Sequence, residues 1–203
     1  NRAEKERMRS LVRPGEHVAD MYAGIGYFTL PAAIAGARVH AMEIRPLSFS
    51  YLERNIRENG VGHLVTAELG DCRKCLAGTY DRIIMGHFGA IDHLPAALAH
   101  SRPGTVLHVH MAGDRTDEIM AVLKAQGVRA RVETHKVKKL GPHTWHYVQD
   151  ERSAGASLDG ARSSKAEVLA HALAQLEPLP PRVVMVGDRS HDVEGAAEHG
   201  IDT

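Results

Sequence analysis

The sequence predicts an α/β fold built on a mostly parallel sheet with an antiparallel edge. Short apolar segments typical of strands alternate with helical segments between residues 17 and 127, which is the pattern of a parallel sheet with helices on both faces. The apolar segments 130–137 and 144–149 follow one another without a helix, so we expect them to form that edge. The chain has 203 residues, 43% of them hydrophobic, which allows one domain, or one domain and a fragment.

The predicted elements begin with a charged helix over residues 1–12, in which apolar side chains recur at helical spacing until Pro14 ends it. Strands are predicted at 17–21, 38–42, 64–67, 81–85 and 105–110. Further helices are predicted at 28–35, 46–59, 91–100 and 114–127. Gly36 and Gly60 end two of these helices and Pro46 opens one, which are the helix ends that these residues favour.

The most informative motif is the turn after the first predicted strand. Residues 18–31 read as a strand ending in Asp20, a glycine turn with the letters A-G-I-G, and the start of a helix. Glycines let the backbone approach a ligand closely, and ligands bind at the carboxyl ends of the strands in open α/β sheets. Thr29 stands where a dinucleotide-binding motif has its third glycine, so the turn favours S-adenosylmethionine over a dinucleotide.

Two acids follow the next strands and extend the predicted cofactor site. Glu43 ends the second strand, 23 residues after Asp20, where a carboxylate can accept hydrogen bonds from both ribose hydroxyls of an adenosyl group. Asp71 follows the third strand, where it could accept the adenine amine. Each acid has a plainer alternative, Glu43 as a solvated acid at a strand end and Asp71 as a turn acid after Gly70.

Composition argues against several other classes of protein. The net charge is zero, so no overall basic field indicates nucleic acid. Cys72 and Cys75 form a single C-x-x-C motif, and a zinc site needs two more ligands. Nothing in the spacing of His63 and His87 supplies them, so we expect no metal. Two cysteines without a signal peptide or a long apolar segment indicate a reduced, cytoplasmic protein without a membrane span.

Basic residues concentrate in two segments, the first helix and the end of the segment 130–137 with the residues that follow it. Such runs are most often solvated faces, although together they are also able to hold the phosphates of a nucleic acid. The residues are Arg2, Lys5, Arg7, Arg9, Lys136, Lys138 and Lys139.

Residues 1–152 resemble the archaeal-type tRNA guanosine-37 modifying enzymes. This family includes the wybutosine-synthesis aminocarboxypropyltransferases and the guanosine-37 N1-methyltransferases. The matching stretches cover the catalytic domain of the family nearly end to end. They are NRAEKERM at 1–8, DMYAGIGYFTLP at 20–31, Glu43 with Pro46, Asn55 with Asn59, RIIMGH at 82–87, LHVH at 107–110 and KKLGPHTWH at 138–146.

The resemblance implies a class I S-adenosylmethionine-dependent methyltransferase fold of the Rossmann-like type, with S-adenosylmethionine as cofactor and tRNA as partner. It implies Glu4 as the general base, with Arg7 one helical turn further on. Residues 85–89, M-G-H-F-G, stand where the N1-methyltransferases carry Asn-Leu-Pro, and they look like the aminocarboxypropyl branch. The cofactor-binding residues that it implies are Asp20, Tyr22, Ala23, Gly24, Gly26, Glu43 and Asp71.

Residues 153–203 resemble the carboxyl-terminal part of a haloacid-dehalogenase phosphatase of the phosphoglycolate type. The matching stretches are SLDGARSSK at 157–165 and MVGDRSHD at 185–192. The resemblance implies that Lys165 balances phosphate charge and that Asp188 and Asp192 support Mg²⁺. The nucleophilic aspartate of that family has no counterpart here, so no phospho-aspartate can form. We expect an incomplete βα tail without hydrolase activity, whether a fusion remnant, a truncated second domain or an assembly artefact.

The sequence therefore predicts a transferase domain at 1–152 and a partial haloacid-dehalogenase-like segment at 153–203. The predicted activity is S-adenosylmethionine-dependent aminocarboxypropyl transfer to a position-37 guanosine derivative of tRNA, in wybutosine synthesis. N1-methyl transfer to guanosine-37 is the first alternative, because both reactions use the same sulfonium. A non-catalytic fragment that binds tRNA or cofactor is an alternative of another class. No protein partner is inferred.

Overall fold

The computed structural model describes residues 2–156, with side chains for residues 2–152. The chain divides into two units at residues 1–156 and 157–203, and the description below concerns the first. The predicted helix at 165–176, the predicted strand at 183–186 and the phosphatase-like residues lie outside the described residues. Those phosphatase-like residues are Lys165, Asp188 and Asp192.

Seven strands form one sheet in the order β3-β2-β1-β4-β5-β7-β6. Strands β1 to β5 run parallel, and β7 lies antiparallel between β5 and β6. This arrangement confirms the predicted parallel sheet with an antiparallel edge. The strands are His17–Asp20 (β1), Arg38–Glu43 (β2), Val65–Leu69 (β3), Arg82–Met85 (β4), Val106–Ala112 (β5), Val128–Lys139 (β6) and Trp145–Ala156 (β7).

Helices α2 to α5 lie between successive parallel strands, α1 precedes the first strand and α6 leads into the antiparallel edge; together they cover both faces of the sheet. They are Arg2–Leu11 (α1), Thr29–Ile34 (α2), Pro46–Glu58 (α3), Cys72–Cys75 (α4), Leu94–Ala99 (α5) and Thr116–Ala125 (α6), with a 3-10 turn at Ala90–His93 before α5. Among the described residues, none of these helices has the length and apolar character needed to cross a membrane.

The core consists of two clusters of buried apolar side chains, one on each face of the sheet. One cluster packs α5 and α6 against the sheet, and the other packs α1, α2 and α3 against it. Burial on both faces explains why the strands read as short apolar runs rather than as alternating patterns. Representative members are Tyr80, Ile83, Leu94, Leu107 and Ile119 in the first cluster, and Met8, Val18, Ala32, Val39 and Leu52 in the second.

Several elements differ from the sequence prediction. In place of a helix at 91–100 there is a 3-10 turn at Ala90–His93 followed by α5 at Leu94–Ala99, and β6 runs from Val128 to Lys139 rather than over 130–137. Strand β7 was expected to end at Gln149, but it continues to Ala156, because it pairs with β5 on one side and with β6 on the other. The short helix α4 was not expected, and it forms because Asp71 accepts a hydrogen bond from the backbone N–H of Arg73 at its start.

Replacing Gly26 by alanine is expected to destabilise the fold, because this position needs both a left-handed backbone and empty space. Its φ is +99°, and an added Cβ would lie 3.1 Å from Leu30 Cγ and 3.2 Å from Leu52 Cδ1. Strain and crowding together are worth about 2–4 kcal/mol of unfolding free energy, which urea unfolding measures.

Gly104→Ala is the matched control for Gly26→Ala. Gly104 has a similar φ of +88°, but nothing lies within 4 Å of an added Cβ. This variant should therefore show the backbone strain alone, roughly 1–2 kcal/mol. Equal losses for the two variants would show that the packing of Gly26 against Leu30 and Leu52 contributes nothing.

Candidate functional site

The candidate site lies at the carboxyl ends of β1 and β2, where the glycine turn follows β1. Gly24 and Gly26 both have positive φ, +58° and +99°, so the turn uses conformations that residues with a Cβ avoid. The backbone N–H of Ala23 donates to the carbonyl of Met42 at 2.9 Å, which ties the turn to the neighbouring strand. The turn is therefore a fixed, open stretch of backbone at the ligand-binding edge of the sheet.

Glu43 holds this turn in place from the end of β2. One carboxylate oxygen accepts from the Gly24 N–H and the other from the Arg45 N–H, each at 2.8 Å. The residue is largely buried, with 8% of its surface exposed. A carboxylate has about four acceptor positions, so two remain available for a ligand after these contacts. The structure thus brings Glu43 and the glycine turn together, as the sequence predicted.

Asp20 lies beneath the turn rather than on its surface. It is fully buried, and the Thr29 hydroxyl donates to its Oδ2 at 2.7 Å. Burial raises the pKa of Asp20 to about 6, although hydrogen bonds from Thr29 and from the Tyr22 backbone oppose the rise. Asp20 therefore connects β1 to the start of α2 and shapes the turn from inside.

Tyr22, at the start of the turn, packs against two histidines. Its hydroxyl lies 2.5 Å from His93 Nδ1, and its ring stacks on His87 with a centroid separation of 5.3 Å. Burial raises the pKa of the Tyr22 hydroxyl, so it stays protonated at neutral pH. The sequence indicated Tyr22 but gave no reason to place His87 and His93 beside it.

Asp71 caps α4 and pairs with Arg73. Both carboxylate oxygens contact the Arg73 guanidinium, and Oδ1 also accepts from the Arg73 N–H at 3.0 Å. The side-chain bond to Arg73 lowers the pKa of Asp71 to about 2. These are the contacts of a turn acid, which was the alternative for this residue. The backbone N–H of the preceding Gly70 donates to the Glu43 carbonyl at 2.9 Å, so the loop after β3 is joined to that after β2.

Cys72 and Cys75 are buried free cysteines in α4. Burial raises the pKa of both thiols, that of Cys75 to about 11, so neither is a thiolate at neutral pH. Within residues 2–152 there is no group of three or more His, Cys, Asp or Glu side chains placed to hold a metal ion.

The predicted catalytic pair, Glu4 and Arg7, lies side by side on the buried face of α1. Arg7 donates to both Glu4 carboxylate oxygens, at 2.7 and 2.9 Å, and to Asp150 on β7 at 2.6 Å. Burial alone would lower the pKa of Arg7, but the bonds to Glu4 and Asp150 outweigh it and raise that pKa. Arg7 therefore fixes the Glu4 carboxylate in one position, with only 3% of the residue exposed.

The network continues through the sheet to Glu16. His108 Nδ1 lies 2.6 Å from Asp150, and its Nε2 lies 2.6 Å from Arg82, which in turn pairs with Glu16 at 2.8 Å. An arginine only donates, so His108 accepts at Nε2 and is neutral with its proton on Nδ1. Burial lowers the pKa of His108, which agrees with that assignment. The sequence gave no signal that Asp150 would meet α1.

The sheet order, the glycine turn after β1 and the acid at the end of β2 define a class I S-adenosylmethionine-dependent methyltransferase fold. The family model described as TRM5/TYW2 methyltransferase domain matches residues 1–139. The chain belongs to this family, which confirms the resemblance seen in the sequence. A second family model, HAD-hydrolase-like, matches residues 161–203.

Named relatives and solved structures are similar to this chain over different shares of its length. The tRNA(Phe) (4-demethylwyosine(37)-C(7)) aminocarboxypropyltransferase of Pyrococcus horikoshii is 32% identical over 163 residues, covering 75% of this chain and 59% of the relative. The structure of M. jannaschii TYW2 in complex with AdoMet is 28% identical with a TM-score of 0.70, and covers 76% of each chain. The tyrosine-protein kinase PtkA of Mycobacterium tuberculosis is 53% identical over 94 residues, 44% of this chain and 32% of the relative. The chain thus spans less than two thirds of both curated relatives.

Proposed function

We propose that the chain binds S-adenosylmethionine at the glycine turn. The observation that carries this proposal is the Glu43 carboxylate, which is fixed by two backbone N–H groups beside Gly24 and keeps acceptor positions for the ribose hydroxyls. Gly24 and Gly26 present a backbone without side chains to the cofactor, with Ala23 between the turn and β2. The TYW2 neighbour with AdoMet supports the same ligand.

The remaining predicted cofactor residues have lesser roles in this proposal. Tyr22 lines the site with its ring, and Asp20 supports the turn from the interior. Asp71 lies in the loop that is hydrogen-bonded to Glu43, where its carboxylate remains a candidate for the adenine amine. Because Arg73 already occupies both of its oxygens, we expect Asp71 to contribute less than Glu43.

The proposed reaction is transfer of the aminocarboxypropyl group to a position-37 guanosine derivative of tRNA. The similarity to the Pyrococcus horikoshii transferase and the His87 loop in place of Asn-Leu-Pro support this reaction. When bound, the cofactor would supply a sulfonium: the substrate base would form a bond to the carbon that is transferred, the bond from that carbon to sulfur would break with release of methylthioadenosine, and the base would lose a proton to Glu4. N1-methyl transfer remains the alternative, since the family model covers both enzymes. We propose that this reaction takes place in the cytoplasm.

Glu4 is the proposed general base and Arg7 the residue that positions it. A carboxylate can accept the proton that the substrate base loses when it attacks, provided that the acid is held still. Two hydrogen bonds from Arg7 hold Glu4, and Asp150 holds Arg7. Lys5 and Lys138 lie on α1 and β6 and are suited to the phosphates of tRNA.

We also propose a domain boundary at the end of β7, near residue 156, with a haloacid-dehalogenase-like segment following it. The family model at 161–203 supports the segment. The phosphatase nucleophile has no counterpart in the chain, so we propose no hydrolase activity for it. The similarity to the tyrosine-protein kinase extends over 32% of that relative.

Glu43→Ala is expected to weaken S-adenosylmethionine binding at least about a hundredfold. The variant loses two charge-assisted hydrogen bonds, each worth roughly 1.5–3 kcal/mol, and 1.4 kcal/mol corresponds to about tenfold in affinity. Titration calorimetry measures the affinity. Glu53→Ala, an exposed acid on α3, is the control and should bind like the wild type. Unchanged affinity in a folded Glu43→Ala variant would remove Glu43 from the cofactor site.

The product of the cofactor distinguishes the proposed reaction from its alternatives. The chain is incubated with S-adenosylmethionine and tRNA carrying either 4-demethylwyosine or guanosine at position 37. We expect methylthioadenosine with the 4-demethylwyosine tRNA, detected by liquid chromatography. S-adenosylhomocysteine with the guanosine tRNA would instead establish the N1-methyltransferase. If neither product forms although the chain binds tRNA or cofactor, the result would support the alternative that the chain is a non-catalytic binding fragment.

Glu4→Gln is expected to lower turnover about 10²-fold or more while leaving cofactor affinity unchanged, since it removes the proton acceptor and not a cofactor contact. Single-turnover kinetics and calorimetry measure the two effects. Glu6→Gln, on the exposed face of the same helix, is the control. If Glu4→Gln turns over like Glu6→Gln, Glu4 is a structural partner of Arg7 and not the base.

A further inference from the structure

Two histidines meet beneath the carboxyl edge of the sheet, outside the residues discussed so far. His110 lies on β5 and His146 at the start of β7, and His110 Nδ1 is 3.0 Å from His146 Nε2. Both residues are buried, with 2% and 6% of their surfaces exposed. Within the part of the chain that the structure describes, His110 Nε2 and His146 Nδ1 are buried without a hydrogen-bond partner.

The contact between the rings fixes how the pair presents its protons. Burial lowers the pKa of both rings, so each carries a single proton at neutral pH. One of those two protons lies in the bond between the rings. Of the two outer nitrogens, His110 Nε2 and His146 Nδ1, one therefore carries a proton and the other is an acceptor. When His110 Nδ1 donates to His146, the outer proton is on His146 Nδ1. A buried N–H without a partner is destabilising, and a ligand that accepts a hydrogen bond from it would remove that cost.

The surroundings of the pair are those of a site for a planar, polar group. The Phe28 ring lies 4.9 Å from His110, and the Phe88 ring lies 5.1 Å from His146 and packs edge-on against it. Phe88 is 41% exposed, in the loop that follows β4. Phe88 thus borders both the solvent and the buried histidine pair.

Charged and titratable groups face the pair from α1, from β5 and from both antiparallel strands. The charge of Glu4 raises the pKa of His146, and the charge of Lys138 lowers it. The groups that act on His110 are Arg7, His108, Asp150 and His146. His110 packs against Phe28, which belongs to the same apolar cluster as Met8 of α1, so the pair lies on the side of the sheet that carries the helix of the proposed base, Glu4.

We propose that His146, with His110 as its positioning residue, donates a hydrogen bond to a carbonyl oxygen of the reacting tRNA base, which displaces the Phe88 edge. When a base loses a ring proton to Glu4, part of the resulting negative charge lies on its carbonyl oxygen. A donor aimed at that oxygen stabilises the charge, and no covalent bond to the histidine forms. This inference rests on the proposed function, because it requires a purine derivative as substrate.

Binding is tested by nuclear magnetic resonance of the full chain with ¹⁵N-labelled histidine rings. An anticodon stem-loop RNA with guanosine or 4-demethylwyosine at position 37 is added, and a stem-loop lacking that base is the control. We expect the His146 ring-nitrogen signals to shift with the complete RNAs and to stay in place with the control. Bound RNA that leaves these signals unmoved, or moves them equally with the control, overturns the proposal.

Steady-state kinetics test the role of the His110–His146 pair separately from the proposed transfer reaction. We expect His146→Phe to lower kcat/KM for tRNA at least tenfold, to shift the pH profile of kcat to higher pH, and to leave S-adenosylmethionine affinity unchanged. His146→Asn keeps a donor near the Nδ1 position and should restore part of the activity. His63→Phe, an exposed histidine before β3, is the control. A loss shared by cofactor binding, or kcat/KM within twofold of wild type, overturns the subsite. If the His146 ring signals shift on RNA binding but no methylthioadenosine forms, the subsite stands and only the proposed transfer reaction is refuted.

Discussion

One carboxylate, that of Glu43, joins the loops on which the candidate site depends. Its two oxygens hold the turn after β1 at Gly24 and the start of the loop before α3 at Arg45. The backbone carbonyl of Glu43 accepts a hydrogen bond from the N–H of Gly70, in the loop after β3. The loops after three neighbouring strands are therefore fixed to one residue. Hydrogen bonds from backbone N–H groups to a charged carboxylate are stronger than those to a neutral acceptor. The arrangement of the three loops is therefore fixed before any ligand binds.

A second constraint fixes the proposed base. Glu4, Arg7 and Asp150 form the first half of a chain of bonds that continues through His108 and Arg82 to Glu16. Charged groups at such partly buried positions are tolerated because each has an opposite charge or a polar partner. This series of bonds fastens α1 to β4, β5 and β7, in addition to the packing of its buried Met8 in the core. The same bonds that fasten α1 to the sheet therefore also fix the position of the Glu4 carboxylate.

The features that could be predicted from the sequence are those with a local signal. The strand–turn–helix order around Asp20, the acid at Glu43 and the parallel sheet all follow from patterns within a few tens of residues. The length of β7 and the bond from Arg7 to Asp150 depend on partners far away in the chain. The hydrogen bond between His110 and His146 has the same origin, since it forms only once β7 inserts beside β5. Periodicity cannot report such pairings.

Hydrogen–deuterium exchange with and without S-adenosylmethionine tests the cofactor site most directly, because the proposed ligand lies against the backbone of the loops that Glu43 joins. At saturating cofactor we predict slower exchange in three segments, residues 21–27, 43–46 and 69–72, and little change in β6 and β7. Protection of these segments together would show that one ligand covers the loops that Glu43 joins. Saturating cofactor that protects none of them, or protects only residues at the opposite edge of the sheet, would contradict the account.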